Sequence, residues 1–418
     1  MFSGYQKARM MTGKPGKTPS DMKVADDEYP GIQPSGFGVY IHWPFCHKKC
    51  PYCDFNSHVR DQIDQSGFGN AIITELKTMA EISGFHGKPL DSVFFGGGTP
   101  SLMEAEIAGR ILNTITSLFS VSEQCEITIE ANPTFIEADR LQAFRDQGIN
   151  RLSLGIQSLN DDQLAFLGRQ HSAAEASEAL AKAQHIFPRV SADFIYALPD
   201  QKLDEWQQQL SQILDLGCDH LSLYQLTLEQ GTAFYSLAKR GRLTMLDETM
   251  ALDQFLLTQE MCESRGMSAY EVSNHATPGQ ESRHNLIYWR GGDWLGAGPG
   301  AIGRFWHPEN RQRVETRARK DPDGWREDVS RQGHGLSHHQ GEDVTDYASE
   351  AVMMGLRLRE GIRLNKIESL AGPRSEWLDE DEVGYLCDQG LLSFHDDCLT
   401  LTDDGKTVMN TVIGRILK

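Results

Sequence analysis

Residues 40–55 read YIHWPFCHKKCPYCDF: a short β-favouring run delivers the chain to a loop that carries Cys46, Cys50 and Cys53. The spacings are four and three, and no fourth cysteine lies near. Pro44 and Pro51 keep the loop out of a helix, so the thiols can converge on one point instead of lining a helix face. A closed structural zinc site takes four protein ligands, and His42, His47 or His58 could complete such a set. The competing reading is a 4Fe-4S cluster, in which three thiolates hold three irons and the fourth iron stays open to a ligand from outside the protein. Cys125, Cys218, Cys262, Cys387 and Cys398 stand singly and read as ordinary buried thiols.

Outward from this loop the chain alternates. Apolar, β-rich runs occur at GVYIHW (38–43), DSVFFGGG (91–98), EITIEANP (126–133), RLSLGIQS (151–158), VSADFIYALP (190–199) and HLSLYQLTL (220–228). Most are separated by helical periodicity, as in NAIITELKTMAEI (70–82), EIAGRILNTITSLF (106–119) and AAEASEALAKAQHIF (173–187). Strands alternating with helices predict parallel βαβ units, and six of them predict an α/β fold with a partial TIM-like (β/α)6 barrel whose chemistry sits at the C-terminal rim. Gly97, Gly98 and Thr99 follow the second run, where absent side chains let backbone approach a ligand, although a glycine run is as often a plain turn. Glu130, Gln157 and Asp193 are single polar residues on apolar strands, a costly placement unless they are paired or face a ligand. Arg169 supplies a fork for a carboxylate, while a lone loop arginine is usually solvated. The run GAGPGAIG (296–303) reads either as a close-approach loop at a bound adenine or as a glycine-rich turn.

Three parts are expected: a disordered tail at 1–35, a barrel with an extension at 36–315, and a smaller C-terminal α+β domain at 343–418. The tail lacks a hydrophobic period. In the last part YASEAVMMGLRL (347–358) and IRLNKIESLA (362–371) read as helices, followed by a helix, a turn-linked strand pair and a final helix, a winged-helix-like pattern.

A formal net charge of -19 over 418 residues disfavours a nucleic-acid partner, which demands an excess of Lys and Arg. No apolar stretch reaches the roughly 20 residues needed to span a bilayer, and no signal peptide is visible. Eight cysteines without a disulfide pattern suit a reducing compartment, the cytoplasm.

The C-x-x-x-C-x-x-C loop, with Tyr52 just before the last cysteine, resembles that of the radical S-adenosylmethionine (SAM) superfamily. Together with GGGTPS, TIEANP, RLSLGIQS, DFIYALPDQ, YQLTLEQGT and YEVSNHA in order, it is similar to the family of oxygen-independent coproporphyrinogen III dehydrogenase and its relatives over nearly the whole chain after the tail. That resemblance implies a 4Fe-4S cluster on Cys46, Cys50 and Cys53. It also implies SAM contacts at Tyr40, Tyr52, Gly97, Gly98, Thr99, Glu130, Gln157, Arg169 and Asp193.

Two functions compete within the family. The dehydrogenases, which oxidatively decarboxylate a porphyrin precursor, carry a further cysteine two places after the third, where this chain has Phe55. The HemW-type heme-chaperone branch has phenylalanine there and an H-N-x-x-Y-W segment, matched by His284 to Trp289. The resemblance then implies heme as a ligand and a heme-accepting respiratory enzyme as a partner. A neutral His284 imidazole suits iron, and Tyr288 and Trp289 offer flat apolar surface. The alternative is that His284 caps local structure while Tyr288 and Trp289 are core. A radical SAM enzyme acting on a substrate other than a porphyrin is a third possibility, but it has no reason to carry HNLIYW. The short tail, without the periodicity of a packed substrate cover, also speaks against the dehydrogenase.

Overall fold

The computed structural model describes residues 35–134, 140–309, 312–341 and 343–418. The tail expected at 1–35 lies outside them, save for Ser35.

All six β-rich runs are strands: β1 (Phe37–Trp43), β2 (Pro89–Gly97), β3 (Ser120–Ala131), β4 (Arg151–Gln157), β5 (Arg189–Tyr196) and β6 (His220–Gln225). They lie side by side in chain order, every adjacent pair parallel. Period-2 alternation sends one set of side chains outward under the helices. Phe37, Val39, Ile41 and Trp43 of β1, Leu152 and Leu154 of β4, and Leu221 and Leu223 of β6 are all buried there. The helices answer with stripes at three- and four-residue spacing, such as Ile107, Ile111 and Ile115 of the helix Ala105–Leu118.

The inner set is polar. Register places Ser92 beside Glu126, Glu130 beside Ser153, Ser153 beside Ser191, and Asp193 beside Ser222. Polar atoms on this face form a floor at the N-terminal end of the strands. There Glu126 accepts from Arg189 Nη1 at 2.6 Å and from the His284 backbone at 3.2 Å, with Arg151 Nε 3.9 Å away.

Beyond the six strands the sheet grows at both edges. The pair β7 (Ser268–Ala269) and β8 (Asn274–Ala276) adds antiparallel to β6. β9 (Asp293–Ala297) runs parallel to β1 on its other side, and an antiparallel ribbon of β10 (Ile302–Trp306), β11 (Arg313–Ala318) and β12 (Leu336–Gly341) continues outward. The order is β12-β11-β10-β9-β1-β2-β3-β4-β5-β6-β8-β7, so the sheet stays open between its two ends and the barrel is partial, as the sequence suggests.

A second hydrophobic cluster, including Val352, Leu364, Trp377, Leu386, Leu399 and Ile413, centres the C-terminal segment. Its strands β13 (Ile362–Arg363), β14 (Leu392–His395) and β15 (Cys398–Leu401) form a three-stranded antiparallel sheet among helices. Asp396 and Asp397, at φ 49° and 62°, make the two-residue hairpin between β14 and β15, whose twist demands left-handed backbone at both places. This is the expected winged-helix-like pattern, with one addition: Ile362 and Arg363, read as the start of a helix, pair as a short third strand.

No helix among the described residues is long and apolar enough to cross a membrane. The floor supplies a stability test. Arg189→Ala leaves the buried Glu126 carboxylate without its close cation and should cost about 3–5 kcal/mol, read as a shift of the urea-unfolding curve. A loss below about 1 kcal/mol would show that the floor does not depend on this pair.

Candidate functional site

At the C-terminal ends of the barrel strands the cysteine loop lies across the rim. Its two limbs are joined by parallel pairing of Phe45–Cys46 with His58–Val59. The glycine run of β2 forms the seat beneath it. A Cβ on Gly98 would stand 2.7 Å from the Phe45 carbonyl oxygen, and the N–H groups of Gly98 and Thr99 donate to Trp43 and Phe45 carbonyls at 2.8 Å each. Gly97, at φ 116°, donates its N–H to Glu130 Oε2 at 3.2 Å. The close approach that these glycines make is to the backbone of the cysteine loop itself.

Each thiol meets a donor or a hydroxyl. Thr99 Oγ1 donates to Cys46 Sγ at 3.4 Å, Arg169 Nη1 donates to Cys50 Sγ at 3.5 Å, and Cys53 Sγ lies 4.0 Å from Ser57 Oγ. Asn132 closes a ring. Its Nδ2 donates to Thr99 Oγ1 at 3.2 Å and its Oδ1 accepts from Arg169 Nη2 at 2.6 Å, so one amide ties the partner of Cys46 to the partner of Cys50. The sequence reading passed over Asn132 in EANP, and nothing in that stretch except the amide's two-sided hydrogen bonding could have singled it out.

Arg169 also donates to the Gly155 carbonyl at 2.8 Å, and its buried Nε has no partner among the described residues. It is therefore no solvated loop arginine. Tyr52 packs with Phe234 and Phe166 against Leu167, Ile195 and Leu198, clamping the loop to the rim, and burial pushes its hydroxyl upward in pKa.

The donor set fits a cluster better than a closed zinc site. Among the described residues no group of three or more His, Cys, Asp and Glu side chains is placed to hold a single metal ion. Both ring nitrogens of His42 are engaged, by the Tyr40 hydroxyl at 3.0 Å and the Asn56 carbonyl at 2.9 Å, and His58 faces the Asn56 side chain at 3.2 Å. Burial pushes the Cys46 thiol up to about 11 and raises Cys53, against the pull of the Thr99 and Ser57 partners. Thiols so placed become thiolates on binding a metal cation.

Inside the rim stand two half-buried carboxylates. Burial, then the charge of Asp193, pushes Glu130 up to about 8 against the Gly97 N–H. Burial raises Asp193 too, opposed by the Ser222 and Ser153 hydroxyls; Ser153 donates to it at 3.1 Å. Neither forms an ion pair among the described residues, so the pair suits a ligand that brings positive charge. Gln157 stands at φ 73° beside a register shift between β4 and β5, a strained setting for a non-glycine residue at a rim. Tyr40 lies deeper, its ring 6.3 Å from Phe94 and 6.4 Å from His284. Tyr40, Tyr52, Gly97, Gly98, Thr99, Glu130, Gln157, Arg169 and Asp193 thus all belong to the rim or the interior just below it.

His284, Tyr288 and Trp289 do not join that group as exposed surface. They sit on the helix Arg283–Trp289, which closes the barrel from its floor. His284 is 1% exposed, its Nδ1 2.7 Å from Ser92 Oγ and its Nε2 2.6 Å from the Tyr288 hydroxyl, and Phe94 stacks on the ring at 5.0 Å. Burial, then Arg151, pushes the imidazole down to about 3, so it is neutral. Trp289 is buried against Met354 and Leu358. The flat apolar surface expected of Trp289 is therefore covered by the C-terminal segment, and Tyr288 is half-buried beside the same cluster. Of the five single cysteines, Cys125, Cys218 and Cys262 are buried as expected, whereas Cys387 and Cys398 are half-buried.

Residues 40–213 match the radical SAM superfamily, and residues 343–408 match the HemN C-terminal domain. The chain is 36% identical over 424 residues to "Radical S-adenosyl methionine domain-containing protein 1, mitochondrial" of Bos taurus, covering 99% of this chain and 94% of that protein. It is 34% identical over 390 residues to "Heme chaperone HemW" of Escherichia coli strain K12, covering 91% and 97%. Among solved structures, "Coproporphyrinogen III oxidase (HemN) from Escherichia coli is a Radical SAM enzyme" superposes with a TM-score of 0.75 at 23% identity over 91% of this chain and 90% of that one, a likeness of fold.

The ring of donors makes a prediction. Cys→Ala at position 46, 50 or 53 should abolish iron retention after anaerobic reconstitution. Asn132→Ala, which keeps all three sulfurs, should weaken retention roughly 10- to 100-fold against a competing chelator. Wild-type retention in the Asn132 variant would remove this residue from the site.

Proposed function

This chain belongs to the radical SAM superfamily, on the HemW branch of its HemN-like family, and from that membership we propose that it is a heme chaperone that binds heme and hands it to a respiratory enzyme. The observation that carries this over the dehydrogenase alternative is Phe55. The side chain two places after Cys53 is a phenyl ring, 49% exposed at the surface of the loop, where the dehydrogenases have a further thiol.

In this proposal Cys46, Cys50 and Cys53 hold a 4Fe-4S cluster. Such a cluster, with SAM on its open iron, supplies one-electron reduction of the sulfonium when both are bound. The chain's own residues do the rest. Thr99 and Arg169 hold the sulfurs of Cys46 and Cys50 in hydrogen bonds. Glu130, with Gly97 already on one oxygen, and Asp193 would take the positive charge of SAM, and the Arg169 Nε would be left for a carboxylate. Gln157 and Tyr40 line the same interior, and Tyr52 fixes the loop above it.

In this proposal His284 would hold the heme iron, and Tyr288 and Trp289 would supply apolar surface to the porphyrin. In the arrangement described here both ring nitrogens have partners, so ligation requires the helix Arg283–Trp289 to shift and release Ser92 or Tyr288. The destination, a heme-accepting respiratory enzyme, and a cytoplasmic or other reducing location belong to the same proposal. All eight cysteines are free thiols, which is consistent with that location.

Anaerobic heme titration tests the reading. The reconstituted protein should develop a Soret band, His284→Ala should weaken binding by roughly tenfold or more, and no decarboxylation of coproporphyrinogen III should accompany added SAM. Turnover of coproporphyrinogen III, with heme uptake indifferent to His284, would replace the chaperone by the dehydrogenase.

A further inference from the structure

Behind the cysteine loop, outside every residue assigned so far, lies a carboxylate with no cation paired to it among the described residues. Glu75 is on the inward face of the helix Gln65–Ser83 and is fully buried. Its Oε2 accepts from the Gly298 N–H at 2.8 Å and its Oε1 from the Gly335 N–H at 2.7 Å, while Trp325 Nε1 is 3.1 Å from both oxygens. Three donors from three separate segments solvate one charge. Burial pushes this carboxyl up to about 7, opposed by Gly298, Gly335 and Trp325 in turn. A buried carboxylate is costly, and a leucine there would pack the helix without that cost. Its presence calls for something it holds.

What it holds is the turn at 298–300, in the glycine run read above either as an adenine loop or as a plain turn. Gly298 stands at φ 111°, and a Cβ there would lie 2.2 Å from the His42 carbonyl oxygen. At Gly300, φ 83°, a Cβ would lie 2.5 Å from Asn56 Nδ2. Asn56 Nδ2 donates to the Pro299 carbonyl at 2.8 Å and the Lys320 carbonyl at 2.9 Å, and the Asn56 carbonyl meets His42 Nε2 at 2.9 Å. Asn56 is followed at once by Ser57, the partner of Cys53. Contact therefore runs without a gap from Glu75 through Gly298, Pro299 and Asn56 to the third cysteine.

We propose that Glu75 is a positioning residue for the cysteine loop, setting the 298–300 turn as a template on which Asn56, and with it Cys53, is fixed. The proposal rests on the assignment of Cys53 as a cluster ligand only for its purpose; the mechanical claim concerns the iron-free chain. Cys46 and Cys50 are held by a different device, Thr99 and Arg169, so the effect is local to Cys53.

The test is thiol alkylation of the full, iron-free chain, read cysteine by cysteine by mass spectrometry. Glu75→Gln keeps the volume but sets an amide NH2 against N–H donors, and Asn56→Ala cuts the other end of the relay without leaving an unpaired charge. Each should speed alkylation of Cys53 by roughly fivefold or more, with Cys50 changed much less, and the double variant should add nothing further. If Glu75→Gln also exposes Cys125, Cys218 and Cys262, that variant has unfolded and Asn56→Ala decides alone. Unchanged Cys53 reactivity in both, or additive effects in the double variant, would overturn the proposal. Iron retention after reconstitution is scored separately. A wild-type chain that holds no iron defeats the cluster assignment, whatever the alkylation shows.

Discussion

The structure depends on backbone meeting backbone beneath the three cysteines. A loop that carries three thiols and no fourth ligand cannot rely on a metal to fold it into shape, because the set is incomplete. It must be shaped by the protein. Gly98 does this from below, where any side chain would collide with the Phe45 carbonyl, and Gly298 does it from behind against the His42 carbonyl. Both contacts exchange side-chain bulk for close approach, and both then use N–H donors that a side chain would have screened. Tyr52 and the Thr99–Asn132–Arg169 chain add the specific directions.

Charge separates the two ends of the interior. On the barrel floor Glu126 faces Arg189 and Arg151, so the carboxylate is compensated and the floor is shut. Near the rim Glu130 and Asp193 are half-buried with no ion pair among the described residues, and each is pushed toward protonation. The same residue type is structural at one end of β3 and unsatisfied at the other. A low-dielectric interior amplifies this asymmetry, since an uncompensated carboxylate is costly there and a cation that reaches it is bound strongly. The interior is thus polarised along its axis, closed below and receptive above.

Much of this was legible in the sequence for a simple reason: period 2 is a strong signal. RLSLGIQ and HLSLYQ declare an apolar outer face and a polar inner one, and the cysteine loop and glycine run mark the rim. What escaped was everything that depends on contact between distant segments. Asn132, Asn56 and Glu75 are ordinary residues in a strand end, a loop and a helix. Their partners lie 33, 243 and 223 or more residues away, so no local pattern could reveal them. The antiparallel ribbon from β10 to β12 was missed because RVETRA and LSHHQG are too polar to read as strands. Their strand character comes from pairing, and a buried Arg304–Glu315–Glu350 ion cluster carries the polarity inside. At His284 the motif was visible, but whether the ring lay open or covered was not.

That covering has an energetic consequence for any heme chemistry. The helix Arg283–Trp289 turns two faces outward at once. His284 and Tyr288, four residues apart, point into the barrel, while Trp289, with Leu286, meets Met354 and Leu358 of the C-terminal segment. Freeing one ring nitrogen breaks a hydrogen bond worth about 0.5–1.5 kcal/mol. If Trp289 must leave Met354 and Leu358 as well, about 1.5–3 kcal/mol of apolar burial is added. A ligand at His284 would therefore have to supply at least about 0.5–1.5 kcal/mol of differential binding, and more if Trp289 moves as well. On the proposed reading, freeing His284 would also disturb the packing of Trp289 on Met354 and Leu358, because both residues sit on one helix only seven residues long.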